Sequence, residues 1–177
     1  MDELPTKPIA IALTETRSSN DENVNPHRMD FYRPIKTCSR DSKGGGVGIF
    51  VHEDAEVLET YRSSVRNVQI ISLEIKFNGN TVILTAVYKS PNYPIDEFLN
   101  QLSDHIMNIK TSSNTKHIVG GDFNINVLIE NNGTKKLLEF MSFFNLNLQS
   151  NRLITQITGQ SATPIDHFLQ ILIVNAE

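Results

Sequence analysis

The ten residues HIVGGDFNIN, 117–126, set a carboxylate and an amide, Asp122 and Asn124, where an apolar run gives out. Gly, Asp and Asn are ordinary turn formers, each for a backbone reason of its own, so a turn is the plain reading. A carboxylate and an amide two residues apart are also suited to hold a phosphate and move a proton beside it. Other polar residues stand at comparable places: Glu15 after IALT, Tyr88 after TAV, and Asp166 at the head of IDHFLQILIV. Singly, each reads as a solvated strand end or, for Tyr88, a half-buried aromatic, because loops lie at the surface whatever their function. Jointly they offer oxygen ligands to a hard divalent cation and donors to a phosphate. Mg²⁺ needs no more, since it takes one or two carboxylates and completes its shell with water and phosphate oxygens.

Such a site requires strands that end side by side. Residues 8–14, PIAIALT, form a short continuous apolar run, the mark of a buried strand. The polar stretch 15–43 reads as a long loop or insertion, and loops of that length are usually functional or mobile. GGGVGIFVHE, 44–53, enters another strand. VQIISLEIKF (68–77) and TVILTAVY (81–88) flank Asn-Gly, the strongest short-range signal for a hairpin. SPNYP then breaks the strand, and apolar residues at 95, 98, 99, 102, 106 and 109 follow helical spacing over 95–110. HIVGGDF is a strand, 133–148 a second helical pattern ending near Asn145, and 165–174 a last strand. Strand hairpins mixed with two helices predict one α/β layered domain, a sandwich with helices outside.

Composition narrows the class. The chain has 177 residues, 39% hydrophobic and 20% charged, an ordinary globular balance for a single domain spanning 1–177. The lone Cys38 excludes an internal disulfide and fits a reducing compartment. MDELPTKP lacks a basic leader and IAIAL is too short for a signal core or a membrane span, which predicts a nuclear or cytoplasmic protein with no membrane partner. A net charge of −4 argues against a broad nucleic-acid footprint, although Arg17, Arg28, Arg33, Lys36, Arg40 and Lys43 cluster early. The plain reading of that cluster is a solvated loop.

Five motifs in order, ALTET, GGGVGIFV, AVYKSPN, GDFNIN and PIDHF, resemble the endonuclease/exonuclease/phosphatase superfamily. The resemblance is closest to the endonuclease domain of non-LTR (LINE-type) retrotransposons and runs from about residue 8 to 174. It implies a DNase I-like four-layer α/β sandwich and a metal-dependent endonuclease, or phosphodiesterase, with DNA as substrate and Mg²⁺ or Mn²⁺ as cofactor. By position it implies a metal-binding Glu15 and a Tyr88 that hydrogen-bonds the scissile phosphate. Asp122 activates the nucleophile or protonates the leaving oxygen, Asn124 orients the phosphate, and Asp166 orients a catalytic histidine. The cation would stabilise charge developing on phosphate oxygens.

The pattern departs from the family at both ends. The family's fold opens on an Asn-bearing strand and closes on a strand with Ser-Asp-His, and neither occurs here in its place. The expectation is therefore an incomplete fold with exposed edges, weak or inactive as it stands. The alternative is a non-catalytic, retrotransposon-derived module that binds nucleic acid or protein. Ser103-Asp104-His105 spells the triplet but precedes GDFN, within the helical pattern; we read it as coincidence, with Asp104 and His105 on a polar helix face. His167 adjoins Asp166, yet successive strand side chains point to opposite faces. GGGVG lacks the Lys-Ser/Thr ending of a phosphate loop and only opens a strand.

Overall fold

The computed structural model describes residues 7–16, 29–36, 45–65, 67–110, 115–127, 129–148, 156–158, 161–163 and 166–171. In chain order the strands are β1 (Ala10–Thr14), β2 (Tyr32–Lys36), β3 (Val47–His52), β4 (Glu56–Val65), β5 (Val68–Phe77) and β6 (Asn80–Lys89). Helix α1 (Ile95–Met107) leads to β7 (Lys116–Asp122), and α2 (Asn132–Phe143) to β8 (Leu146–Leu148), β9 (Gln156–Thr158), β10 (Ser161–Thr163) and β11 (Asp166–Ile171).

A six-stranded sheet runs β4-β5-β6-β7-β11-β8, a three-stranded sheet runs β1-β3-β2, and β9 pairs with β10 alone. Every pairing in the large sheet is antiparallel except β6 with β7, which are parallel and joined through α1. The β5–β6 turn is the expected Asn-Gly hairpin: Asn78 and Gly79 both take positive φ, 48° and 79°, as the matched two-residue turn requires.

Two apolar layers flank the large sheet. On one face Ile70, Val87 and Val119 pack beneath Phe98 and Leu102 of α1 and Leu137 and Phe140 of α2. On the other, Ile71, Leu73, Ile75 and Ala86 meet Val47, Ile49 and Val51 of β3. Among the described residues the layers are therefore helices, large sheet and small sheet, an α/β sandwich with both helices on one outer face. Fully burying an aromatic such as Phe98 is worth roughly 1.5–3 kcal/mol, so α1 is held chiefly by this face.

Several features differ from the sequence reading, the short strands β8, β9 and β10 among them. β2 lies inside the stretch read as a loop; it is an edge strand, where Pro34 costs no ladder bond. β4 was not anticipated, because an edge strand half in water lacks a clean apolar face. His105 is not on a polar helix face: it is buried against the sheet, its Nε2 2.8 Å from the Ser72 hydroxyl. The helical spacing itself turns that position inward, since His105 follows Phe98 and Leu102 at intervals of four and three. Cys38, and Arg17, Arg28, Arg40 and Lys43 of the basic cluster, lie outside the described residues. Arg33 donates to the Ala55 carbonyl at 2.8 Å.

His105 belongs to a buried chain of polar contacts. Ser72 Oγ lies 2.6 Å from Thr85 Oγ1, which lies 2.6 Å from His117 Nε2. Burial pulls both imidazoles down from 6.5 to about 4, with repulsion from His105 adding to the effect at His117. The fold thus holds the neutral rings, whereas the unfolded chain protonates first as pH falls. Their contribution is fully present above about pH 6.5 and is lost towards pH 4, with a limiting slope of about 1.4 kcal/mol per pH unit for each ring. Thermal unfolding midpoints should fall steadily between pH 6.5 and 4.5, less steeply in His105→Gln; a flat profile would contradict the buried network.

Candidate active site at the strand ends

The parallel register of β6 and β7 sets Tyr88 directly beside Asp122, and the antiparallel register of β7 and β11 sets Asp122 opposite Asp166. Three of the five sequence-selected residues therefore occupy one row across three adjacent strands. Asp166 is placed by its backbone.

Asp122 is nearly buried, and its Oδ1 accepts the Asn124 backbone N–H at 2.9 Å, a local side-chain-to-backbone bond at the end of β7. Asn124 sits in the left-handed region at φ 49°, and its side-chain Nδ2 donates to the Lys89 carbonyl at 2.8 Å. Between them Phe123 is fully buried against Phe98 of α1, ring centroids 5.5 Å apart. One apolar anchor thus fixes the segment that carries both polar groups.

Gly121 explains the double glycine. It lies opposite Val87 with φ 140°, and a Cβ there would stand 1.9 Å from the Val87 carbonyl oxygen. Only a residue without a side chain lets β7 approach β6 at this point.

Glu15 follows β1 with an exposed side chain and a left-handed backbone, φ 53°. A non-glycine residue in that region is strained, and such strain gathers at functional sites. The next residue is tied across to β3: Thr16 N–H donates to the Gly46 carbonyl at 3.2 Å. Gly46 N–H in turn donates to the Gln69 side chain at 3.0 Å, and Gln69 is the β5 partner of Tyr88. Gly45 and Gly46 take φ 87° and 90°, so the glycine run opens β3 as expected and also links β1 to the large sheet. The sequence reading missed Gln69; the available signal was a lone amide inside the apolar run VQIIS.

The Tyr88 phenol is raised above its usual value of 10.0, first by burial and then by the carboxylates of Glu15 and Asp122. Both carboxylates thus act electrostatically on the same phenol. At neutral pH Tyr88 remains a hydroxyl donor.

Among the described residues no group of three or more His, Cys, Asp or Glu forms a metal cage. Mg²⁺ does not demand one. Thr16, which follows Glu15 in the chain, has a buried hydroxyl oxygen with no hydrogen-bond partner, a further hard oxygen on the same segment. This donor set fits a hard divalent cation. Two concavities lie away from the strand ends, one of about 340 Å³ between β4 and α1 around Tyr61 and His105, the other of about 390 Å³ between α1 and α2.

Similar folds are known. Humanized D. rerio TDP2 with 14 mutations superposes with a TM-score of 0.66 at 14% identity, covering 92% of this chain and 70% of that one. D. rerio TDP2 complexed with single strand DNA product gives 0.64, with the same identity and coverage. The endonuclease domain of TRAS1, a telomere-specific non-LTR retrotransposon, gives 0.62 at 13% identity, covering 80% of this chain and 65% of that one. At such identities the likeness is one of fold, and it is the DNase I-like fold that the motif order implied. No curated protein sequence matches significantly. The family's sequence profile matches residues 5–169, and the chain belongs to the Endonuclease/Exonuclease/phosphatase family.

Proposed function

We propose that the strand-end row is the centre of a metal-dependent phosphodiesterase, an endonuclease-type domain acting on DNA and derived from a non-LTR retrotransposon. The observation that carries this reading is the register that aligns Tyr88, Asp122 and Asp166 on three neighbouring strands. The DNA product bound by D. rerio TDP2 and the retrotransposon origin of the TRAS1 domain support DNA as substrate. The 177 residues are taken as one endonuclease-type domain, and weak activity of these residues by themselves is part of the proposal.

In this mechanism Tyr88, protonated at working pH, donates its hydroxyl to a phosphate oxygen. The Asn124 amide, its rotation set by the Lys89 carbonyl, orients the same phosphate. Asp122 takes the proton of the attacking water or returns one to the leaving oxygen. Asp166 is the partner of a histidine supplied by a Ser-Asp-His strand. Glu15, with the Thr16 hydroxyl on the same segment, would hold Mg²⁺ or Mn²⁺. When bound, the cation supplies electrostatic stabilisation of charge on the phosphate oxygens.

The first test is supercoiled plasmid incubated with the chain in Mg²⁺ or Mn²⁺, with and without chelator. Slow nicking that stops with chelator is expected; DNA retention without any nicking favours the non-catalytic binding module. Calorimetric titration should show weak cation binding, because Glu15 is the main carboxylate ligand, and Glu15→Ala should remove the heat. Tight binding that survives Glu15→Ala would put the cation elsewhere.

A further inference from the structure

Lys89 follows Tyr88 at the end of β6, and it is only 2% exposed. Its ammonium donates to three backbone carbonyls, those of Ser90 at 2.9 Å, Pro91 at 3.3 Å and Tyr93 at 3.4 Å. Three protons meet three acceptors, so the ammonium is saturated. Carbonyls do not neutralise charge, however, and taking an ammonium out of water is expensive. A loop that only had to turn would be served as well by a neutral donor or a surface lysine.

The backbone of the same residue faces the site. The Lys89 carbonyl accepts the Asn124 side-chain amide, and the adjoining Ser90 N–H donates to the Asn67 carbonyl at 2.8 Å. The peptide plane that grips Asn124 is therefore pinned from its other edge. Tyr93 N–H closes the turn onto the Ser90 carbonyl at 3.0 Å, immediately before Pro94 caps α1.

We propose that Lys89 is a positioning residue of the strand-end site, its side chain locking the 90–93 turn so that its own carbonyl fixes the Asn124 amide beside Asp122. This rests on the phosphodiesterase reading above. Charge adds to geometry. Burial lowers the Lys89 pKa, and attraction to Asp122 opposes that shift.

The decisive measurement is the Asn124 side-chain amide in ¹⁵N-labelled protein, identified by its loss in Asn124→Asp. In the unmodified chain its protons should exchange at least ~10-fold more slowly than those of exposed Asn100, as a committed hydrogen bond requires. In Lys89→Met that protection should vanish while the signals of His105 and His117 stay in place. Nicking should lose at least ~10-fold in kcat with KM within about twofold. Asn124 protons that exchange like those of Asn100 in the unmodified chain overturn the proposal, whether or not the variant folds. So does a Lys89→Met protein with unmoved Asn124 signals. If the unmodified chain does not nick DNA at all, the phosphodiesterase reading fails by itself, and the amide signals still decide the role of Lys89.

Discussion

Joined to an Asn-bearing strand ahead of residue 8 and a Ser-Asp-His strand beyond β11, the chain should nick supercoiled plasmid at least ~10²-fold faster in Mg²⁺ than the 177 residues alone. The size follows from the proposed role: a positioned acid or base contributes ~10²–10⁴-fold, and the added Ser-Asp-His strand would supply one. Asp122→Ala in the extended protein should abolish the gain, because Asp122 lies between Tyr88 and Asp166 in the row and has no substitute carboxylate on β7. The readout is the rate of conversion from supercoiled to open-circle DNA. An extended protein no faster than the chain, or a gain that survives Asp122→Ala, would overturn both the weak-activity reading and the assigned centre.

The largest effect on stability should come from one methyl group. Gly121→Ala places a Cβ 1.9 Å from the Val87 carbonyl oxygen, and the obstacle is backbone within the β6–β7 ladder. No side chain can swing aside, and the φ of 140° is itself unfavourable for alanine. Combining the steric and conformational costs, the substitution should destabilise the fold by about 3–5 kcal/mol. Chemical denaturation would measure it. Gly79→Ala is the internal control: it shares a positive φ but has nothing within 4 Å of the added carbon, so its loss should be about 1 kcal/mol. Equal losses at the two glycines would mean that β7 does not approach β6 as closely as described.

What the sequence makes legible is local. Asn78-Gly79 announces its hairpin because both residues tolerate positive φ, and α1 announces itself because its apolar residues recur on one face. The strand-end positions of Glu15, Tyr88, Asp122 and Asp166 could be read as breaks in apolar runs, and GDFN together with its neighbours gave the family. What stayed hidden depends on partners distant in the chain. β4 shows no periodicity because one of its edges faces solvent, and β2 is interrupted by Pro34. His105 looked polar because residue type says nothing of the Ser72 hydroxyl that receives it from a strand 33 residues earlier. Lys89 and Gln69 look like ordinary surface residues until the register places them next to the site.

The large sheet also has an order of completion written into it. Among the described residues β8 pairs only with β11, and β11 is the strand that slots between β8 and β7. A chain leaving the ribosome can close β4 to β7 early, through a hairpin and a helix crossover, but β7 keeps an open edge until residues 166–171 arrive. That last insertion seals the edge and brings Asp166 into line with Asp122 in one event. Long-range pairing of this kind is slow. Nascent chains therefore pass through a stage in which the sheet is largely built and the row is still one member short, so any chemistry the row performs begins only after residues 166–171 have been made.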